Sequence, residues 1–213
     1  MARITVIGGT GYAGGHIVKE AAGRGHTVTS ISRTVPDEKV DGVTFRAGSV
    51  LDDAVAQTAV DADVVIVTVS PRGDMVGKVA PAAEKVAELA RAKGTRFGVI
   101  GGAGSLQVEP NGPRLMDTAE FPDAFKAEAE ELTAVLNWLT EQDDTLDWFF
   151  VSPAAGFGAY APGEATGTYR TGGDVLLTDE NGESNLSGQD LAAAIVDEIE
   201  RPVHHRQRFT VAY

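Results

Sequence analysis

Five of the ten residues in Val6–Gly15, "VIGGTGYAGG", are glycine, and they follow directly on an apolar run. Glycine inside regular structure costs about 0.5–1 kcal/mol per position in lost backbone freedom, so this density calls for a use. The spacing Gly8, Gly11, Gly14 supplies one. The first glycine lets the chain turn sharply out of a strand, the second lets backbone approach an anion closely, and the third lets the next helix pack against the strand. That helix points unpaired N–H groups and the positive end of its dipole at the same place. The chemistry is capture of a pyrophosphate by backbone amides, with Gly8, Thr10, Gly11, Tyr12 and Gly14 as the cradle. The Lys-Ser or Lys-Thr that a P-loop needs does not follow these glycines.

What stands at the end of the next strand, "HTVTSIS", decides which dinucleotide is held. A reader of the ribose 2′-hydroxyl places Asp or Glu there, about 20 residues after the glycines. This chain places "SISRT", with Ser32 and Arg33. A guanidinium cannot accept from a hydroxyl, yet its planar fork grips a phosphate, so NADP(H) is favoured over NAD(H). Ser32 and Thr34 can donate beside it.

No second chemistry competes. The histidines are His16, His26 and the adjacent pair His204 and His205, whereas paired ligands on one helix face need a spacing of three or four. No Gly-x-Ser-x-Gly elbow marks a nucleophile. The acidic stretch Glu128–Asp144 reads as a helix face in water, with Leu132, Val135, Leu136 and Leu139 as its buried stripe.

The elements that must position these residues alternate. Expected strands are Ile4–Gly8, Thr27–Ser32, Val43–Ala47, Asp63–Val69, Arg96–Ile100, Asp147–Ser152 and Arg208–Ala212. Most are nearly unbroken apolar runs, as strands covered by helices on both faces should be. Expected helices are Gly14–Gly23, Asp52–Ala59, Gly77–Lys93, Ala124–Gln142 and Gln189–Glu200, the last capped by Ser187 with Asp190 at the positive dipole end. The pattern predicts an α/β fold with a doubly wound parallel sheet, and a ligand at the carboxyl ends of the strands. One stretch, Gly156–Ser184 within a substrate-side subdomain at 154–186, breaks the rhythm with short β-like pieces at Gly167–Arg170 and Asp174–Thr178. It reads as an excursion over the sheet edge within a single domain, 1–213.

Composition sets the surroundings. The chain has 213 residues, 43% hydrophobic, and a net charge of −13, which argues against nucleic acid and anionic lipid as partners. It has no cysteine, which removes thiolate nucleophiles and disulfides. No leader and no run of about 20 apolar residues is present, so a cytoplasmic location is expected.

"ITVIGGTGYAGGHIVKEAAGRGHTVTSISR" resembles the opening of the atypical short-chain dehydrogenase/reductase proteins, specifically the NmrA-like and biliverdin-IXβ/flavin-reductase-like group of NAD(P)H-binding proteins. The likeness continues in order through "AGSVLDD", "VIGGAGSL", "LDWFFVSPA" and "SGQDLAAAIVDEIE". It implies an NAD(P)-binding Rossmann fold, adenine contacts from Ser49 and Val50, and Val69, Ser70 and Pro71 along the nicotinamide ribose. It also implies Pro153 and Ala154 backbone at the carboxamide and a substrate-orienting or chain-capping hydroxyl at Ser105. Arg72 is then either a partner for an anionic acceptor or a solvated charge, and Phe157 either stacks on an acceptor or packs in the core. Two departures matter. Ser49 stands where the family usually has Asp, and the superfamily's Tyr-x-x-x-Lys pair is broken, with Lys126 matching the lysine but Pro122 in the tyrosine's place. Ketone reduction, epimerisation and dehydration by that pair are disfavoured. The resemblance leaves an oxidoreductase passing hydride to a flavin, quinone or similar planar acceptor, with FMN as acceptor rather than prosthetic group. It equally leaves a regulatory protein that senses NADPH without turnover. A monomer or homodimer with a small-molecule partner is expected.

Overall fold

The computed structural model describes all residues, Met1–Tyr213. Eight strands form one sheet: β1 (Arg3–Ile7), β2 (Thr27–Ser32), β3 (Val43–Ala47), β4 (Val64–Val67), β5 (Arg96–Ile100), β6 (Trp148–Pro153), β7 (Arg170–Gly172) and β8 (Gln207–Ala212). Their order is β3-β2-β1-β4-β5-β6-β8-β7, parallel throughout except for β7 against β8. Order reverses between β1 and β4, so the crevice for a ligand opens above these two strands. The helices are α1 (Tyr12–Gly23), α2 (Asp53–Ala59), α3 (Val79–Lys93), α4 (Asp123–Thr140) and α5 (Gly188–Glu200).

Two apolar layers hold the sheet. On one face Ala56 of α2, Val86 of α3 and Leu132 and Leu139 of α4 pack with Phe97, Trp148 and Phe150. On the other, Ile17 and Val18 of α1 and Leu191 and Ile195 of α5 pack with Ile4, Ile66, Phe149 and Phe209. The uninterrupted VVIV of β4 is buried at every position, as a strand covered on both faces requires. The outer strand β3 departs from that expectation and is largely exposed, because nothing lies beyond it.

Element boundaries shift by one or two residues from the sequence reading, and one shift has consequences. Helix α1 begins at Tyr12, so the amides of Tyr12 and Ala13 belong to its first turn and have no acceptor within it. In the excursion, the β-like piece expected at Asp174–Thr178 is not a strand; the paired segment is Arg170–Gly172. Register with β8 decides this, while Asp174 is occupied elsewhere, its carbonyl accepting from Gln107 N at 2.8 Å and its carboxylate from Arg208. The excursion has no core of its own; Phe157, Tyr169 and Leu177 pack on the α1–α5 side of the sheet.

The acidic face of α4 is not wholly in water. Glu131 accepts from Gly77 N, Val79 N and Ala80 N at 2.6, 2.7 and 3.1 Å, capping α3, which has no side-chain cap of its own. Ser187 caps α5 as expected, accepting from Asp190 N at 3.1 Å.

Ion pairs gather at the amino ends of the strands. Arg96, opening β5, meets Glu198 of α5 at 2.6 Å with side-chain exposures of 9% and 3%, and its guanidinium lies 4.7 Å from the Phe149 ring centre. Arg24 binds Asp197 and Glu200, and His26 faces Glu200 at 3.0 Å. His204 faces Glu198 and His205 faces Asp147, so three of the four histidines serve this rim. No helix is long and apolar enough to cross a membrane.

Candidate functional site

At the opposite rim, the carboxyl ends of the strands, lies a cleft of about 880 Å³. Such a volume suits a small molecule or cofactor. Its floor begins where β1 ends. Gly8 leaves the strand at φ +88°, a left-handed conformation that disfavours other residues. Gly8 N donates to Ile31 O at 2.8 Å and Gly11 N to Gly8 O at 2.9 Å, fixing a tight loop. Gly14 serves packing: a Cβ there would lie 2.3 Å from Gly8 O and 2.6 Å from Thr68 Oγ1. Thr68 is a residue that sequence reasoning missed. Its hydroxyl donates to Ile7 O at 2.9 Å and so ties the exits of β4 and β1 together.

Of the residues expected to hold a dinucleotide, Gly8, Thr10, Gly11, Tyr12, Ser32, Arg33, Ser49, Val50, Val69, Ser70, Pro153 and Ala154 line the cleft. Gly14 and Pro71 do not; Gly14 is buried beneath the loop, and Pro71 is buried away from the opening. Ser32 Oγ accepts from Thr10 N at 3.1 Å, and Ser49 Oγ accepts from Leu51 N at 3.2 Å, so both hydroxyls shape loops that border the cleft. Tyr12 donates to Pro162 O at 3.1 Å and meets Phe157 with ring centres 5.3 Å apart. Phe157 packs against the core, as one of its two alternatives had it, and also borders the cleft. Arg33 lines the cleft just past the end of β2, and its Nη1 donates to both Asp74 oxygens at 2.7 Å.

The far end is apolar and aromatic. Phe125 at the start of α4 and Tyr160 of the excursion stack with centres 6.2 Å apart and planes 25° apart. Arg72 donates from Nε to Glu128 at 2.6 Å, with its guanidinium 5.9 Å from the Phe125 ring. Its side chain is largely exposed, so it is a solvated charge that is also paired with Glu128. Ser105 is buried on the cleft wall and accepts from Arg208 Nη1 at 2.8 Å. Arg208 is itself held by Asp174, with Nε and Nη2 at 2.9 and 2.5 Å from Oδ1. Lys126 is not brought to this place. It lies outside the cleft, half exposed and paired with Asp123 one helical turn away at 2.7 Å. No lysine lines the cleft.

The arrangement fits a dinucleotide: a glycine cradle that a Cβ would fill, first-turn amides without helical acceptors, and a crevice at the sheet's switch point. The family comparison is decisive. A family model described as NAD(P)H-binding matches residues 8–202. The chain belongs to this NAD(P)H-binding family. As a member it is 38% identical to YwnB of Bacillus subtilis (strain 168), a protein without an assigned role, over 98% of this chain and 97% of YwnB. Among solved structures it is similar to a candidate exported protein of Burkholderia pseudomallei, at 41% identity, TM-score 0.87 and 100% of both chains. SP1627 of Streptococcus pneumoniae TIGR4, a candidate NADH-flavin reductase, is 32% identical with TM-score 0.89, over 100% of this chain and 99% of that one. A candidate epimerase of Bacteroides thetaiotaomicron is 34% identical with TM-score 0.87, over 99% and 96%. Membership in the NAD(P)H-binding family agrees with the resemblance read from the sequence, and the reductase-like fold is shared with SP1627.

Proposed function

We propose that the protein is an NADPH-dependent reductase that passes hydride to a planar acceptor of the flavin or quinone type. The observation that carries this reading is the continuity of one cleft from a glycine cradle to an aromatic wall, with no Tyr–Lys pair along it. Epimerisation and ketone reduction of the superfamily type need such a pair; hydride transfer to an acceptor that takes its proton from solvent does not. The bound reduced nicotinamide supplies the hydride. The chain's part is to hold and to orient. The loop from Gly8 to Ala13 offers amides to the pyrophosphate, Arg33 grips the 2′-phosphate, and Pro153 and Ala154 place backbone at the carboxamide. Ser105, its lone pair taken up by Arg208, donates toward a carbonyl oxygen of the acceptor. Phe125, Phe157 and Tyr160 exclude water from the acceptor face. The likeness to the candidate flavin reductase SP1627 supports the same acceptor class.

Mixing the protein with NADPH and FMN, or with a quinone, and following loss of reduced-nicotinamide absorbance is the direct test. Multiple turnovers are expected. Tight NADPH binding without turnover on any planar acceptor would overturn the reductase reading in favour of a dinucleotide sensor. Arg33→Ala is expected to weaken NADPH at least about tenfold while leaving NADH nearly unchanged, since charge-assisted hydrogen bonds contribute about 1.5–3 kcal/mol. Equal losses for both nucleotides would remove Arg33 from the phosphate site.

A further inference from the structure

We infer that Asp74 is a specificity-determining residue, one that lowers the cleft's preference for a 2′-phosphorylated dinucleotide by occupying the arginine that reads the phosphate. The inference rests on the reading of Arg33 just given. Arg33 follows β2 and Asp74 belongs to the single 3-10 turn Gly73–Met75 that follows β4. Strands β2 and β4 are the two neighbours of β1, so the pair spans the crevice above the glycine loop. One guanidinium nitrogen, Nη1, donates to both carboxylate oxygens at 2.7 Å.

Asp74 does not hang from a loose loop. Met75 beside it is buried at 4% exposure, Arg72 on its other side is tied to Glu128 at 2.6 Å, and Gly77 N is held by Glu131 at 2.6 Å. Gly73 and Gly77 take φ +58° and +73°, which sets the path of the turn. The carboxylate is therefore delivered to Arg33 by anchored backbone. The hydrogen bond to Arg33 holds the Asp74 carboxyl below the usual carboxylate range, so it is charged at neutral pH.

A 2′-phosphate arriving at Arg33 must displace this carboxylate from Nη1. A 2′-hydroxyl faces no such demand, and a carboxylate is the group that accepts from ribose hydroxyls. Asp74 thus lowers the gain that Arg33 brings for NADPH and leaves NADH unhindered. Both side chains are well exposed, at 61% and 68%, so the effect is that of a surface pair and modest in size.

The test is a set of binding titrations of the full chain with NADPH and with NADH, in wild type, Asp74→Asn and Arg33→Ala, following nicotinamide fluorescence. Asp74→Asn is expected to tighten NADPH by about two- to fivefold, the scale of releasing an exposed pair, with NADH unchanged or slightly weaker. An NADPH-to-NADH affinity ratio that stays put in Asp74→Asn while falling in Arg33→Ala overturns this inference alone. A ratio unmoved in both variants overturns the reading of Arg33 along with it. Weakening of both nucleotides by Asp74→Asn overturns it as well, since the carboxylate would then support the site instead of opposing one ligand.

Discussion

Gly14→Ala is expected to abolish dinucleotide binding, with an affinity loss beyond about a hundredfold, and to destabilise the fold by about 1–3 kcal/mol or more, the range for overpacking. The new Cβ would sit 2.3 Å from Gly8 O, 2.9 Å from Gly8 C and 2.6 Å from Thr68 Oγ1. None of these can retreat. Gly8 is held by Ile31 O and by Gly11 N, and the Thr68 hydroxyl is bound to Ile7 O. The remaining relief is a shift of α1 away from β1, which carries the Tyr12 and Ala13 amides off the pyrophosphate position. Gly11→Ala serves as the contrast. There the Cβ meets only Gly8 O, at 3.2 Å, on extended backbone with φ −74°, so a near-normal melting temperature with weakened NADPH is expected. NADPH titration together with thermal melts reads both outcomes, and wild-type affinity in Gly14→Ala would show that the loop does not hold the nucleotide.

Glu198→Ala is expected to cost about 3–5 kcal/mol, the scale of breaking a buried pair by removing one partner. Arg96 would keep its charge at 9% exposure with its main counter-ion gone. Glu198 also accepts from Val203 N and His204 N at 3.1 Å, so the turn before β8 loosens with it. Burial pushes the Glu198 carboxyl up, but the hydrogen bonds from Arg96 and His204 outweigh it and hold the group below the usual carboxylate range. A depressed folded-state pKa contributes stability that is present above the unfolded value and is lost as pH falls through the folded one. The stability gap between wild type and variant is therefore widest at neutral pH and closes on acidification below about pH 4. Chemical denaturation across that range measures it, and a gap under about 1 kcal/mol at neutral pH would show that the pair is not structurally important. Replacing both partners together, Arg96→Met with Glu198→Leu, is expected to restore most of the loss.

The parts of the site legible in sequence are those whose requirements are local. A strand exit, a close approach and a helix–strand contact each demand glycine within a few residues, so the spacing of Gly8, Gly11 and Gly14 announced the loop. Ser187 three residues before Asp190 announced a cap in the same way. What sequence did not disclose are partners brought in from afar. Thr68 reaches Ile7 across a neighbouring strand, Asp74 reaches Arg33, and Arg208 reaches Ser105 across 103 positions. Each is an ordinary residue type at an ordinary position, and only the strand order joins it to its mate. Lys126 shows the converse. A motif match placed it beside the chemistry, but the helix turns its side chain to Asp123 and solvent. The piece at Asp174–Thr178 carried strand-like residues yet met only one residue of a loop, Gln107, in an isolated bridge at Val175, whereas Arg170–Gly172 found the edge of β8.

The cross-linked charges of Arg24, Arg96, Asp197 and Glu198 lie at the end of the strands remote from the cleft. Foundation and workshop are thus on different floors. Phe125, Tyr160 and Asp74 belong to neither of these charge pairs, so substitutions at the cleft's mouth leave the pairs at the far end of the sheet intact.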